Sequence, residues 1–146
     1  MKLFVRRFEE LSVRELYRIL QARVSVFVVE QNCPYQELDG LDEGAVHVWL
    51  EDEQGVAAYL RVLAPGTESN HPAIGRVITT RRGSGLGRRI LEEGLRVTEA
   101  QYGPVPVYLE AQTYAAGFYE RFGFHVVSPE FMMDGIPHVK MVREAR

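Results

Sequence analysis

The chain predicts an α/β domain of the α+β kind, a mixed sheet with helices on both faces. Three observations carry this. Short β-rich runs recur along the chain, amphipathic helical stretches fall between them, and glycine or proline punctuates most junctions. The order read is β-α-β-β-β-α-β-α-β-β. With 146 residues and no linker, repeat or low-complexity tract, one domain over residues 1–146 is expected.

The elements justify themselves in order. Lys2 to Phe8 reads as a first strand. Ser12 and Glu15 form an S-x-x-E capping box ahead of a helix whose apolar face carries Leu16, Ile19, Leu20, Val24 and Phe27, and which breaks before Cys33-Pro34. Tyr35 to Gly44 is an acidic loop. Val46–Leu50 and Val56–Leu63 read as a hairpin, with Gly55 ending the turn between them. After a polar loop from Ala64 to Pro72 come a strand at Ile74–Thr79, a glycine turn, and a helix from Arg88 to Ala100 that Gly103-Pro104 ends. Val105–Ala111 is read as a strand and Thr113–Phe122 as a short helix stopped by Gly123. Phe124–Val127 and His138–Val142 are the last strands read.

Composition narrows the function. A hydrophobic share of 46% against 25% charged residues is the balance of a soluble globular domain. A net charge of -3 argues against general nucleic-acid binding. The single cysteine, Cys33, excludes an internal disulfide and a cysteine metal cluster, and fits a reducing cytoplasm. His47 and His71 are isolated, so no metal is expected. Met1 to Arg7 reads as neither signal peptide nor membrane span, so a cytoplasmic location without membrane contact is expected.

The glycine turn carries the chemistry. Arg82-Gly83-Ser84-Gly85-Leu86-Gly87 lies between a strand and a helix start, where backbone N–H groups and the helix dipole converge on one spot. Arg81, Arg82, Arg88 and Arg89 crowd it. Two readings fit these residues: a phosphate or pyrophosphate cradle, and a sharp turn with an exposed basic helix start. The turn lacks the Lys-Ser/Thr ending of a P-loop, which sets aside kinases and nucleotidases.

Strand, R-x-x-G-x-G turn, helix and strand, followed by Phe118-Tyr119-Glu120-Arg121-Phe122-Gly123-Phe124, resemble the GNAT superfamily of acyl-CoA-dependent N-acyltransferases. Val26 to Tyr35 with Asp39-Gly40 and Asp42, then Ile74-Gly75-Arg76-Val77, Ala111-Gln112 and Asp134-Gly135-Ile136-Pro137-His138, resemble its ElaA-like branch. The four residues Ile78-Thr79-Thr80-Arg81 between Val77 and Arg82 make a shorter link than is usual in that family. The resemblance implies a mostly antiparallel sheet with one splayed parallel pair. It also implies acetyl-CoA as co-substrate, held by Val77, Ile78, Arg82, Gly83, Ser84, Gly85, Leu86, Gly87, Arg88 and Tyr119. Backbone at Val77 and Ile78 is expected to pair with pantetheine like an added strand.

The reaction implied is transfer of an acetyl group to a primary amine of a small molecule or peptide by direct attack. Tyr119 is the candidate acid for the departing thiolate, since a phenol (~10) holds its proton more tightly than a thiol (~8.5). The same tyrosine also reads as a core residue beside Phe118 and Phe122. Candidate bases are His138 and Glu30, with Glu37, Asp39 and Glu110 behind them. His138 equally reads as an ordinary histidine at a strand start. Glu30, after the apolar run Val26 to Val29, equally reads as an acceptor for loop N–H groups; partial burial with a raised pKa is expected there. Glu37, Asp39, Asp42 and Glu43 are expected to draw a cationic acceptor. The alternative class is an acyl-CoA-binding module of the same fold without turnover. The acceptor and the oligomeric state, a homodimer included, are not determined by these residues.

Overall fold

Ser12 starts the first helix as its sequence predicts. The Glu15 N–H donates to Ser12 Oγ at 3.0 Å and the Ser12 N–H donates to Glu15 Oε1 at 2.9 Å, so each side chain satisfies the other's free backbone donor. The computed structural model describes residues 1–146. Its helices are α1 (Val13–Val24), α2 (Leu86–Tyr102) and α3 (Ala116–Glu120). Its strands are β1 (Lys2–Arg7), β2 (Val46–Asp52), β3 (Gly55–Leu63), β4 (Ala73–Thr79), β5 (Val107–Gln112), β6 (Phe124–Val126), β7 (Phe131–Met133) and β8 (Ile136–Arg143). One sheet runs β1-β2-β3-β4-β5-β8-β6, with β7 added on β8. Every pairing is antiparallel except β4 with β5.

Two departures from the predicted elements have local causes. Strand β7 was not expected; Asp134 (φ 51°) and Gly135 (φ 77°) both adopt left-handed backbone, closing a two-residue hairpin that returns the chain into β8. The first helix does not run on evenly. From Ser25 to Glu30 it widens into π turns, in which the Gln31 N–H donates to Val26 O and the Cys33 N–H to Val28 O. This widening brings Val26, Phe27 and Glu30 to the cleft described below.

Alternation along the strands sends side chains to two opposed cores. On one face Val48, Leu60, Val62, Ile74, Leu109 and Ala111 pack with Ile90 and Leu91 of α2. Gly94 lets α2 lie close, since a Cβ there would sit 2.5 Å from Leu60 Cδ2. On the other face Ile19 of α1 packs with Trp49, Tyr59 and Ile78.

Beside that second core lies a buried ion network. Arg23 is fully buried and meets Glu37 Oε2 at 2.9 Å and Asp42 Oδ1 at 2.6 Å. Arg61 forks onto Asp39 (2.9 and 2.6 Å) and reaches Asp42 at 3.0 Å. Arg76 bridges Glu37 (2.5 Å) and Asp39 (3.2 Å). Three arginines thus neutralise three carboxylates and fasten the loop after α1 onto β3 and β4. Burial pushes the Asp39 carboxyl up, but hydrogen bonds from Arg61 and the Leu41 N–H and the nearby guanidinium charges outweigh it and hold it at about 2. His47 donates from Nε2 to the Asp42 carbonyl at 2.9 Å, so its Nδ1 accepts from the Tyr59 hydroxyl at 2.7 Å. Burial lowers the His47 pKa and keeps the ring neutral.

Two outcomes are expected. Arg23→Met strips Glu37 and Asp42 of their shared partner and lowers the unfolding free energy by about 3 kcal/mol in urea titration. Arg18→Met, whose pair with Glu51 is 3.8 Å long and half-exposed, changes it by less than about 0.5 kcal/mol. The second concerns pH. Because the folded state lowers the His47 pKa below 6.5, the unfolded chain takes up this proton first as pH falls. The stability from a neutral His47 is complete above pH ~6.5 and declines below it, by at most ~1.4 kcal/mol per pH unit. His47→Gln, compared with the parent by denaturation between pH 7 and 5, removes that component of the slope.

Candidate functional site

Strands β4 and β5 share a single register pair, Ala73 with Tyr108, closed by the Tyr108 N–H donating to Pro72 O at 3.0 Å. Beyond it they part. The gap is the mouth of a cleft of about 790 Å³ lined by Ile74–Thr79 on one side and Leu109–Gln112 on the other. Its lining comes from both faces of the sheet. Leu109, Ala111, Phe118 and Tyr119 lie on the α2 side; Glu110, Gln112, Arg61, Asp39 and His138 lie on the α1 side. The cleft therefore passes between the two strands, and a molecule on one face can meet a molecule on the other.

Strand β4 carries a bulge at the point of parting. Tyr59 pairs with Ile78 and Arg61 with Gly75, so Leu60 alone faces both Arg76 and Val77, and Arg76 takes a φ of 54°. The bulge sets Arg76 against Glu37 and Asp39 and leaves Val77 and Ile78 on the cleft wall. The short link to the glycine turn does not remove it.

Arg82, the first residue of the glycine turn, lines the cleft; Gly83 to Arg88 are not part of its lining and lead from it into α2. Gly85 is the N-cap in left-handed backbone (φ 71°, ψ 15°), and no side chain caps the helix. The first-turn N–H groups are therefore free for a ligand. A Cβ on Gly83 or Gly85 would meet nothing within 4 Å, so it is their left-handed backbone and not crowding by the protein that calls for glycine. Gly83, Ser84, Gly85 and Arg88 are exposed, Arg88 pairing with Glu92 at 2.9 Å. Leu86 turns its side chain into the core and offers only backbone. Gly87 faces the ring of Phe118.

The sequence-predicted side chains gather at this cleft, with corrections of detail. Val77, Ile78, Arg82, Glu30, Tyr119 and His138 all line it. Glu30 is exposed rather than partly buried, and ion-pairs with Arg82 across the mouth, because the π turns carry it out to the turn. Arg81 does not join the arginines at the turn; it pairs with Asp52. The acidic loop keeps little free charge, since Glu37, Asp39 and Asp42 are taken up by Arg23, Arg61 and Arg76, and of the four predicted acids Glu43 stays exposed.

Tyr119 lies edge-on to Phe118 and Phe124, with ring centroids 5.2 and 6.1 Å away. Burial, with a smaller push from Tyr114, raises its pKa well above the usual phenol. It stays protonated at any working pH. His138 Nδ1–H donates to the Ile136 carbonyl at 2.7 Å, so in the neutral ring Nε2 is the acceptor. Glu110 accepts from the Tyr108 hydroxyl at 2.7 Å. Gln112 meets Gln31 through paired side-chain amides, joining β5 to the end of the π turns. Gln31, Gln112 and Glu68 were missed as site residues. Gln31 and Gln112 fall in segments that carry the family resemblance, and strand alternation from Tyr108 through Glu110 also marks Gln112; nothing local marks Glu68.

The family model for the acetyltransferase (GNAT) domain matches residues 15–145. The chain belongs to the GNAT acetyltransferase family. Within this family it is similar to Protein ElaA of Escherichia coli, 43% identical over 141 residues, covering 92% of this chain and 91% of that protein. A UPF0039 protein of Mycobacterium tuberculosis is 43% identical over 92% of this chain and 88% of its own length. Among solved structures, an acyl-CoA N-acyltransferase from Pseudomonas aeruginosa superimposes with a TM-score of 0.92 at 39% identity, covering 98% of this chain and 99% of that one. The E. coli ElaA structure gives 0.91 at 38% identity over the same shares. The GNAT fold, with its splayed parallel pair, is thereby the fold of this chain.

Proposed function

We propose that this GNAT protein transfers the acetyl group of acetyl-CoA to a primary amine of a small molecule or peptide by direct attack. The observation that carries the reading is the cleft through the sheet, with Arg82 of the glycine turn at one end and the carboxylates of Glu68 and Glu110, which pair with no cation, at the other. Bound acetyl-CoA supplies the activated thioester; the chain supplies position, charge and proton handling.

Backbone N–H groups of Gly83 to Arg88 and the Arg82 side chain fit a pyrophosphate, and Arg82 would exchange Glu30 for it. The unpaired inner edge of β4 at Val77 and Ile78 fits an extended pantetheine arm. Tyr119, neutral and reaching the cleft from the α2 side, donates a proton toward the leaving thiolate. On the α1 side His138 and Glu110, both in the cleft lining, take the amine's proton in this reading. Glu30, which Arg82 would release on turning to the pyrophosphate, is the other candidate for that proton. The carboxylates of Glu68 and Glu110 pair with no arginine or lysine, so a cationic amine finds favourable charge there, where the acidic loop does not provide it.

Acetyl-CoA at a hundred times its Kd is expected to raise the Tm by about 5–10 °C. Gly85→Glu places bulk and negative charge in the turn and abolishes the shift; an unchanged parent Tm in millimolar CoA sinks the reading. Tyr119→Phe is expected to keep the shift and to lower kcat about a hundredfold. Thiol release over a panel of amines and peptides reads it. Binding without release on any acceptor would instead favour a non-catalytic acyl-CoA module.

A further inference from the structure

Only Thr80 and Arg81 stand between the end of β4 at Thr79 and Arg82 of the glycine turn. Both are fastened away from the cleft. The Thr80 N–H donates to Ala57 O at 2.9 Å and its hydroxyl donates to Val56 O at 2.8 Å, laying the link on β3. Arg81 forks onto Asp52, Nη1 to Oδ2 and Nη2 to Oδ1, each 2.6 Å. Asp52 is the last residue of β2, and its Oδ1 also accepts from the Gln54 N–H at 2.9 Å. The carboxylate is thus set by its own hairpin turn before Arg81 meets it. Arg82 lines the cleft and Arg81 does not.

A turn with left-handed glycines at Gly83 and Gly85 has wide conformational freedom when its ends are loose. Freezing it before the ligand arrives removes an ordering cost from binding. The two-pronged pair does this at the residue where the turn begins, and a guanidinium fork resists rotation in a way an ammonium does not. The Arg81 hydrogen bond also holds the Asp52 carboxyl at about 2, so the clamp stays charged across the working pH range.

We infer that Asp52 is a positioning residue for acyl-CoA, acting through Arg81 to hold the glycine turn in its phosphate-binding shape from the far end of the β2–β3 hairpin. Arg81 is then a clamp and not a phosphate ligand. The inference rests on the CoA-binding reading above.

The test compares the parent with Asp52→Asn and Arg81→Lys. Isothermal titration measures CoA and ADP, which carry the pyrophosphate; ligand-observed NMR measures pantetheine, which does not. Both variants are expected to weaken CoA and ADP by about fivefold. Pantetheine binding and the ligand-free Tm should stay near the parent values. Arg81→Lys keeps the charge and loses the fork, so a loss there assigns the effect to geometry. Equal or tighter CoA binding by Asp52→Asn overturns the inference, because a released Arg81 would then be gripping phosphate itself. An equal loss for pantetheine overturns it too, as a general structural effect. A parent protein that binds no CoA defeats the cofactor reading first and this inference with it, a result distinguishable from a parent that binds and variants that do not differ.

Discussion

The sheet holds β4 and β5 together at one residue pair and then lets them go, and the site depends on that release. With Ala73 and Tyr108 paired, and no ladder beyond them, two strands in the middle of the sheet present unpaired backbone to each other. Such edges are normally covered or paired. Here they face a cleft, and the lining shows one wall from each strand. An extended ligand arm can complete the ladder, and chemistry can then take place in a gap that joins the two faces.

The bulge at Arg76 and Val77 and the buried ion network belong to the same device. The bulge bends β4 away from β5 and points Arg76 toward Glu37 and Asp39. Arg23 and Arg61 complete the neutralisation of Glu37, Asp39 and Asp42, which fixes the segment that carries them and sets Asp39 in the cleft lining. Each carboxylate meets two arginines and each arginine two carboxylates, so removing one member leaves two others short of a partner, and the network therefore acts cooperatively. His47 and Tyr59 extend it into the α1 core through one chain of hydrogen bonds.

Much of the site was legible because its signals are local. A capping box, a glycine turn before an amphipathic helix, and an aromatic segment before Gly123 each involve residues close in sequence. The GNAT resemblance was carried by such segments, and the family match bears it out. What escaped was pairing over distance. The Asp52–Arg81 clamp spans 29 residues and the Gln31–Gln112 contact 81, and neither leaves a periodicity or motif to read. The β7 hairpin was the exception: Asp134-Gly135 is a local signal whose turn type was not drawn from it.

By itself the sequence determined the order of helices and most strands and the place of the glycine turn, since local periodicity and turn chemistry suffice for these, while the family and the candidacy of Tyr119 rested on the resemblance of its segments, with His138 offered as a base by its residue type. Tertiary structure alone decided the state of the charges. Glu37, Asp39 and Asp42 of the loop after α1 look free in the sequence and are neutralised in the fold. Glu30 looks half-buried and is an exposed partner of Arg82, and Arg81 looks like a phosphate ligand and is turned to Asp52. The reason is that a charge's role depends on what stands within a few ångströms of it, and for these groups the neighbours come from distant strands that only folding brings together.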